Sequence, residues 1–318
     1  MADHQVEGGV YIYRGGRAPQ HISHAIIDKS VKKVDDYAFK DNRALHTVET
    51  HDGLEEIGIS AFSCCESLNH LDIRSVRILQ SYSFCSTGLT EVDADNLEII
   101  EDNVFTSCES LRRIFCPKVT KIGGCAFEQT LLTEIVLPNV EFIDGNAFVG
   151  NFSLRRIYIP LKPDLFDEDL DEGSFDECGR LGSVVLIGGI HDTVSSFHME
   201  DWSEHMAKEI NRINKTLFSN QSTQKTNVIR WWLQSVYRRF EHYKAEHIKI
   251  LKEASVLLEL ALWTAKLGDD ECVGYDGSLE APAKKVKIDA AGRTRNEQRI
   301  TSGADIVIKN VLPFLALK

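Results

Sequence analysis

Ile57-Gly58-Ile59-Ser60-Ala61-Phe62-Ser63-Cys64-Cys65-Glu66-Ser67-Leu68 is one copy of a unit that the first half of the chain repeats seven times. The copies are marked by Phe39, Phe62, Phe84, Phe105, Phe127, Phe148 and Phe175, at gaps of 23, 22, 21, 22, 21 and 27 residues. Five residues before each Phe stands an aliphatic residue (Val34, Ile57, Leu79, Ile100, Ile122, Ile143, Leu170), and eight before the first six stands another (Val31, Leu54, Val76, Leu97, Val119, Val140). Beyond the Phe come Leu45, Leu68, Leu89, Leu111, Leu132, Leu154 and Leu181, then Val48, Leu71, Val92, Ile114, Ile135, Ile157 and Val184. A period this short means a solenoid, because a single unit cannot close a core and needs a neighbour on either side of its apolar face.

The spacing in Leu68-x-x-Leu71-x-Ile73, Leu111-x-x-Ile114-x-Cys116 and Leu154-x-x-Ile157-x-Ile159 predicts a short strand per copy, and stacked copies a parallel sheet. Residues 1–21 are expected to cap its open edge, with a strand over Val10-Tyr11-Ile12-Tyr13 and a turn over Arg14-Gly15-Gly16-Arg17. The solenoid is expected over 22–190, with Ile22-x-x-Ala25-x-Ile27 ahead of the first full copy. Pro160 to Asp169 inserts about five extra residues before Phe175, so the seventh copy is expected to be degenerate and frayed.

From Met199 the period changes. Trp202, Met206, Ile210, Ile213 and Leu217 are three or four apart, and a longer stripe runs from about Thr226 to Lys266, so 198–267 is expected to be a helical module. A rod carrying Trp231, Trp232 and Trp263 must pack on the preceding helix, on the solenoid end, or on a second copy through self-association. Gly268 is expected to end it. A linker with a basic cluster (268–302) and an apolar docking segment (303–318) follow.

With 318 residues, 43% hydrophobic and 26% charged, the composition is that of a globular protein with room for a solenoid and a second module. A net charge of −12 argues against direct nucleic-acid contact, which needs clustered Lys and Arg. Met1 to Glu7 lacks the basic start and apolar stretch of a secretory signal, and no run approaches the roughly 20 apolar residues of a membrane span. The expectation is an intracellular chain, in nucleus or cytoplasm.

Among the eight cysteines, Cys65, Cys108 and Cys178 stand three after the Phe, where other copies carry Asn42, Thr87, Thr130 and Asn151. Interchange of small polar groups predicts a buried ladder hydrogen-bonded to the turns, hence reduced structural thiols and no metal. Asp167, Asp169 and Asp171 have the first spacings of a calcium loop, but Glu172 stands where Gly is needed and Cys178 where a bidentate Glu belongs. His191, His198 and His205, and His242 with His247, do not form the His-Glu-x-x-His pattern and are expected on solvated helix faces. With no Gly-x-Ser-x-Gly elbow, and with Gly123-Gly124 expected to relieve strain in a repeat turn, neither an enzyme nor a cofactor is expected.

The Phe-centred unit resembles the BspA-like leucine-rich repeat, with its Ala-Phe pair also at Ala38-Phe39, Ala126-Phe127 and Ala147-Phe148. The resemblance covers about half the chain. It implies an α+β architecture, a leucine-rich-repeat solenoid followed by an α-helical module, and protein binding without catalysis. Together with the Trp-rich tail and the terminal Asn310-Val311-Leu312-Pro313-Phe314-Leu315, it looks like intracellular families of unicellular algae.

Side chains alternate along a strand, so the outward rows can be deduced. One runs Thr47, His70, Glu91, Arg113, Glu134, Arg156, and is expected to form an alternating charge ladder. The next runs Glu49, Asp72, Asp93, Phe115, Val136, Tyr158, Val185, turning from acidic to apolar along the axis. Arg113, Phe115, Val136, Arg156 and Tyr158, rimmed by Arg112 and Arg155, are the expected protein contacts, unless the chain's own helices cover them. Lys284, Lys285 and Lys287 resemble a monopartite nuclear import signal. The functional expectation is an intracellular protein-interaction scaffold, with a nuclear regulatory or chromatin-associated adaptor as the alternative.

Overall fold

A computed structural model describes residues 6–7, 10–166, 173–187, 199–219 and 224–270. All seven repeat phenylalanines are buried to 1% exposure or less and lie ring on ring. Neighbouring centroids are 5.0, 5.4, 5.6, 5.4, 5.3 and 5.3 Å apart, with planes within 14° of parallel. The aliphatic anchors beside them are buried too, save Leu170, which lies outside the described residues. Tyr13 tilts over the first ring at 5.0 Å, and Phe166 meets the last edge-on at 5.8 Å. The copies are therefore successive coils of one core, each shielding the apolar side of the next.

The expected strands form one wall. Val10–Tyr13, His24–Ile27, Thr47–Glu49 and His70–Leu71 pair in parallel, as do Glu91–Asp93 with Arg113–Phe115, and Glu134–Val136 with Arg156–Ile159 and Ser183–Leu186. Val6–Glu7 pairs antiparallel with Val10–Tyr13 and covers the first edge. A second parallel sheet, of six two-residue strands, accompanies it over Lys33–Val34, Glu56–Ile57, Ile78–Leu79, Ile99–Ile100, Lys121–Ile122 and Phe142–Ile143. Its register is held by the aliphatic residue five before each Phe. In the seventh coil Phe166 bridges Ile143 in this place, which sequence spacing assigns to Leu170.

The Phe turns carry a third ladder. Amides two before, at, and two after each Phe donate to the next coil: Tyr37 to Ile59, Phe39 to Ala61 and Asp41 to Ser63, at 2.7 to 2.9 Å, and so on along the axis. The intervening amides close i−3 turns, such as Asn42 to Phe39 at 3.1 Å. Within this Phe-turn ladder every inter-coil amide thus points toward the C-terminal end and every partner carbonyl the other way. To aim alternate amides in one direction, residues two before and two after the Phe adopt positive φ, including Tyr37 (59°), Ser60 (51°), Tyr82 (60°), Asn103 (59°) and Cys125 (54°). Asn and Gly suit this conformation, whereas a bulky side chain does not. Tyr82, 45% exposed, gains little from burial there, so Tyr82→Asn is expected to stabilise the protein by about 0.5 to 1 kcal/mol in urea unfolding.

Gly123 answers to space rather than to strain: its φ is not positive, and a Cβ would lie 2.4 Å from Asp102 Oδ1 and 2.6 Å from the Glu101 carbonyl carbon of the preceding coil. The buried polar ladder is present. Cys65 Sγ donates to the Phe39 carbonyl (3.2 Å), Cys108 Sγ to Phe84 (3.1 Å), Asn151 Nδ2 to Phe127 (2.6 Å) and Cys178 Sγ to Phe148 (3.0 Å).

Two helices follow, α1 (Met199–Ser219) and α2 (Lys225–Asp270). The chain forms two compact units, Met1–Ile190 with His205–Arg238, and His191–Glu204 with Arg239–Lys318. In the first, Met206, Ile213 and Leu217 of α1 and Ile229, Trp232, Leu233 and Val236 of α2 are buried. The ladder's one-way polarity leaves the last coil with amides that no further coil can accept. Thr226 Oγ1 accepts from the Phe175 amide (2.9 Å), and Asn214 Oδ1 from Val184 on the edge strand (3.2 Å). The buried Lys225 amine donates to the carbonyls of Cys178 (2.8 Å), Gly179 (3.0 Å) and Leu181 (2.8 Å).

The last coil is thus capped rather than frayed. Burial holds the Lys225 amine below the ordinary lysine range. Lys225→Met keeps the stem and removes the donors, stranding the three carbonyls, and is expected to cost about 2 to 4 kcal/mol of stability by denaturant midpoint. In the second unit, α2 runs through Gly268 to Asp270, since an interior glycine costs a helix only about 1 kcal/mol. Among the described residues no helix is long and apolar enough to cross a membrane.

Candidate interaction face

The outward rows deduced from alternation are realised in the register. Arg113 faces Glu91, and Glu134 faces Arg156. Their charges form separate clusters rather than a continuous ladder. Arg113 Nη2 turns back onto the preceding coil, 2.9 Å from Glu91 and 3.4 Å from Asp93, and Glu134 is left with Arg156 at 3.9 Å. Two carboxylates on one coil outbid the single one on the other side. All these groups are about half exposed, so each pair contributes at most about 1 kcal/mol.

In the neighbouring row Phe115 stands beside Asp93, and Val136, Tyr158 and Val185 pair in sequence. Phe115 is 48% exposed and Val136 44%, so the chain's own described helices do not bury them. Tyr158 is half-buried and held: Arg156 Nη1 donates to its hydroxyl at 3.1 Å, with the guanidinium 6.0 Å from the ring centroid. That hydrogen bond is the main cause raising the Arg156 pKa. At the acidic end, Glu49 lies 2.9 Å from His24, and Asp72 is engaged by Arg74 at 2.5 Å. Arg112 and Arg155 are exposed and pair with no carboxylate among the described residues.

The structure thus places Arg113, Phe115, Val136, Arg156 and Tyr158 on one rigid face. Lys284, Lys285 and Lys287 lie outside the described residues, as do the 303–318 segment and Asp167, Asp169 and Asp171. His242 pairs with Glu246 across one helical turn at 3.6 Å. Among the described residues no group of three or more His, Cys, Asp or Glu could hold a metal ion.

Sequence reasoning missed two large exposed residues, Phe152 (62%) and Phe218 (87%). Phe152 occupies a repeat position where the other copies carry Arg43, Glu66, Gly88, Glu109, Leu131 and Gly179, so aligning the copies marks it as the one aromatic there. Phe218 lies beside Gly182 on the last coil, and nothing in helical periodicity distinguishes it.

Residues 18–120 and 77–200 match the BspA type leucine rich repeat region, in six copies. No curated protein sequence matches the chain. Among solved structures, a leucine rich cell surface protein from Faecalibacterium prausnitzii is 25% identical over 50% of this chain and 53% of its own, with a TM-score of 0.42. The chain thus spans about half the length of that protein. A leucine rich repeat protein of T. pallidum is 19% identical over 56% of this chain and 74% of its own, with a TM-score of 0.40. The matched residues run from 18 to 200, more than half of the sequence, and coincide with the stacked Phe-centred coils, so the chain belongs to the BspA-type leucine-rich-repeat family.

Proposed function

We propose that the protein is a non-enzymatic, intracellular interaction scaffold that holds a protein partner on the outer strand face of its solenoid. The family and the repeat fold are those of protein-binding solenoids. The observation that carries the reading is the row Phe115, Val136, Tyr158: Phe115 and Val136 left half in water on a rigid sheet beside the half-buried Tyr158, with arginines next to them. Tyr, Phe and Arg on a preorganised surface are the composition of an interface centre.

Phe115→Ser with Tyr158→Ser is the test. Phe115 is exposed and Tyr158 packs only on the outer face, so the urea midpoint should move by no more than about 1 to 2 kcal/mol equivalent. Proximity labelling in the native cell should lose a specific set of neighbours. An unchanged set would remove the face from consideration.

Self-association is a second reading, supported by Ile250, Leu257, Leu262 and Trp263 of α2, all 40% exposed or more. Sedimentation as a monomer at every concentration would end it. The nuclear adaptor role rests on Lys284, Lys285 and Lys287, and Lys284→Ala with Lys285→Ala should shift a tagged chain from nucleus to cytoplasm.

A further inference from the structure

We infer that the partner meets this face as an amphipathic α-helix lying along the solenoid axis, with carboxylates on one flank. The inference rests on the binding-face reading above and specifies what binds there. The apolar row has one residue per coil: Val136, Tyr158 and Val185 are register partners on three parallel strands, and Phe115 holds the same strand position on the coil before them. Parallel strands are about 4.8 Å apart. An α-helix rises about 5.4 Å per turn, so its i, i+3 or i+4, i+7 and i+11 side chains present one group to each coil, with a drift of about 0.6 Å per step that side chains absorb.

Other backbone forms fit less well. An extended chain repeats on one side every 6.6 Å or so and slips out of register at once. A polyproline helix repeats near 9.3 Å and would touch every second coil, leaving Val136 and Val185 wet. The proline mode also needs open aromatic faces, and Tyr158 is already engaged by Arg156 at its hydroxyl and beside its ring.

Charge sets the flank. Arg113 is neutralised by Glu91 and Asp93, and Arg156 is turned onto Tyr158, so neither is free to recruit a partner. Arg112 and Arg155 differ: both are exposed, both lie three residues before a member of the apolar row (Phe115 and Tyr158), and neither has a carboxylate among the described residues. They stand two coils apart, about 9.6 Å, close to the roughly 10.5 Å between helix residues i and i+7. The complementary partner carries Asp or Glu at those two positions, beside a stripe of large apolar residues, the helix-in-groove mode adapted to a sheet face.

The experiment is selection of a displayed random library of peptides about 18 residues long against the full chain, followed by anisotropy titration of the recovered peptides. The expected binders have apolar residues three and four apart and acidic residues seven apart, and become helical on binding. Arg112→Glu with Arg155→Glu should weaken them at least about tenfold and flatten their salt dependence. Phe115→Ser with Tyr158→Ser, or Val136→Lys alone, should abolish binding.

Binders that need Phe115 and Tyr158 but are proline-rich, extended, or indifferent to the arginine reversal would overturn the helix inference while the binding-face reading stands. Recovery of no peptide dependent on Phe115, Val136 and Tyr158 would overturn both. Matching urea midpoints for the variants and the parent chain exclude unfolding as the cause.

Discussion

Phe105→Ala is expected to cost about 3 to 5 kcal/mol of unfolding free energy, and Phe175→Ala nearly as much. Phe105 is fully buried between Phe84, at 5.6 Å and 6°, and Phe127, at 5.4 Å and 14°. Truncation removes about 1.5 to 3 kcal/mol of apolar transfer energy and two ring contacts, and leaves a cavity that two flanking coils cannot both close. In a solenoid, stability is carried by nearest-neighbour interfaces, so one lost ring weakens the interface above and the one below.

The comparison with Phe175 separates two pictures of the C-terminal end. A degenerate last copy would fray, and losing its Phe would cost little. The structure instead closes that coil: Phe175 is 1% exposed, stacks on Phe148 at 5.3 Å, meets Phe166 edge-on, and has its amide held by Thr226. Equilibrium urea unfolding of both variants decides between them. A Phe175→Ala loss below about 1.5 kcal/mol beside a full Phe105→Ala loss would mean that the cap is loose and the end frays.

Which features were legible in the sequence follows from where each is decided. The anchors and outward rows were legible because burial recurs with the coil and strand side chains alternate, so Phe105, Ile114 and Phe115 declare inward or outward by position alone. The second sheet was not, since a two-residue strand such as Ile99–Ile100 is too short to display alternation. Lys225 was invisible for another reason: a lysine reads as solvated surface, and its three carbonyl acceptors come from residues more than forty positions away in the chain. Likewise, the rows show that arginine and carboxylate alternate, but side-chain reach decides that Arg113 takes both Glu91 and Asp93, while Arg112 beside it meets no carboxylate among the described residues.

Stability is expected to be level up to about pH 8.5 and then to fall by about 4 kcal/mol per pH unit. The four most deeply buried thiols dominate this, and burial raises the pKa of the less buried Cys85 in the same direction. Burial pushes the pKa of Cys65 up to about 12, of Cys108 to about 11, of Cys116 to about 12 and of Cys178 to about 12. In the unfolded chain the same groups ionise near pH 8.5. Below that pH both states hold the protons and nothing changes. Between about 9 and 11 the unfolded chain has released four protons that the folded chain retains, so each unit of pH favours unfolding by four times about 1.4 kcal/mol.

Lys225 has the opposite sign. Its folded pKa is depressed, so from that value up to the ordinary lysine range the folded state holds fewer protons, and rising pH relieves its desolvation cost. It offsets at most one thiol, which leaves a net of three proton equivalents. Burial also raises the pKa of Tyr13, whose hydroxyl accepts from the Asp35 amide, and this steepens the fall above about pH 10. Urea midpoints measured from pH 7 to 11 under reducing conditions give the slope. Cys116→Ala should make it shallower by about 1.4 kcal/mol per pH unit, one proton's worth, while lowering stability at neutral pH. A slope unaltered by that substitution would show that the buried thiols are not what alkali attacks.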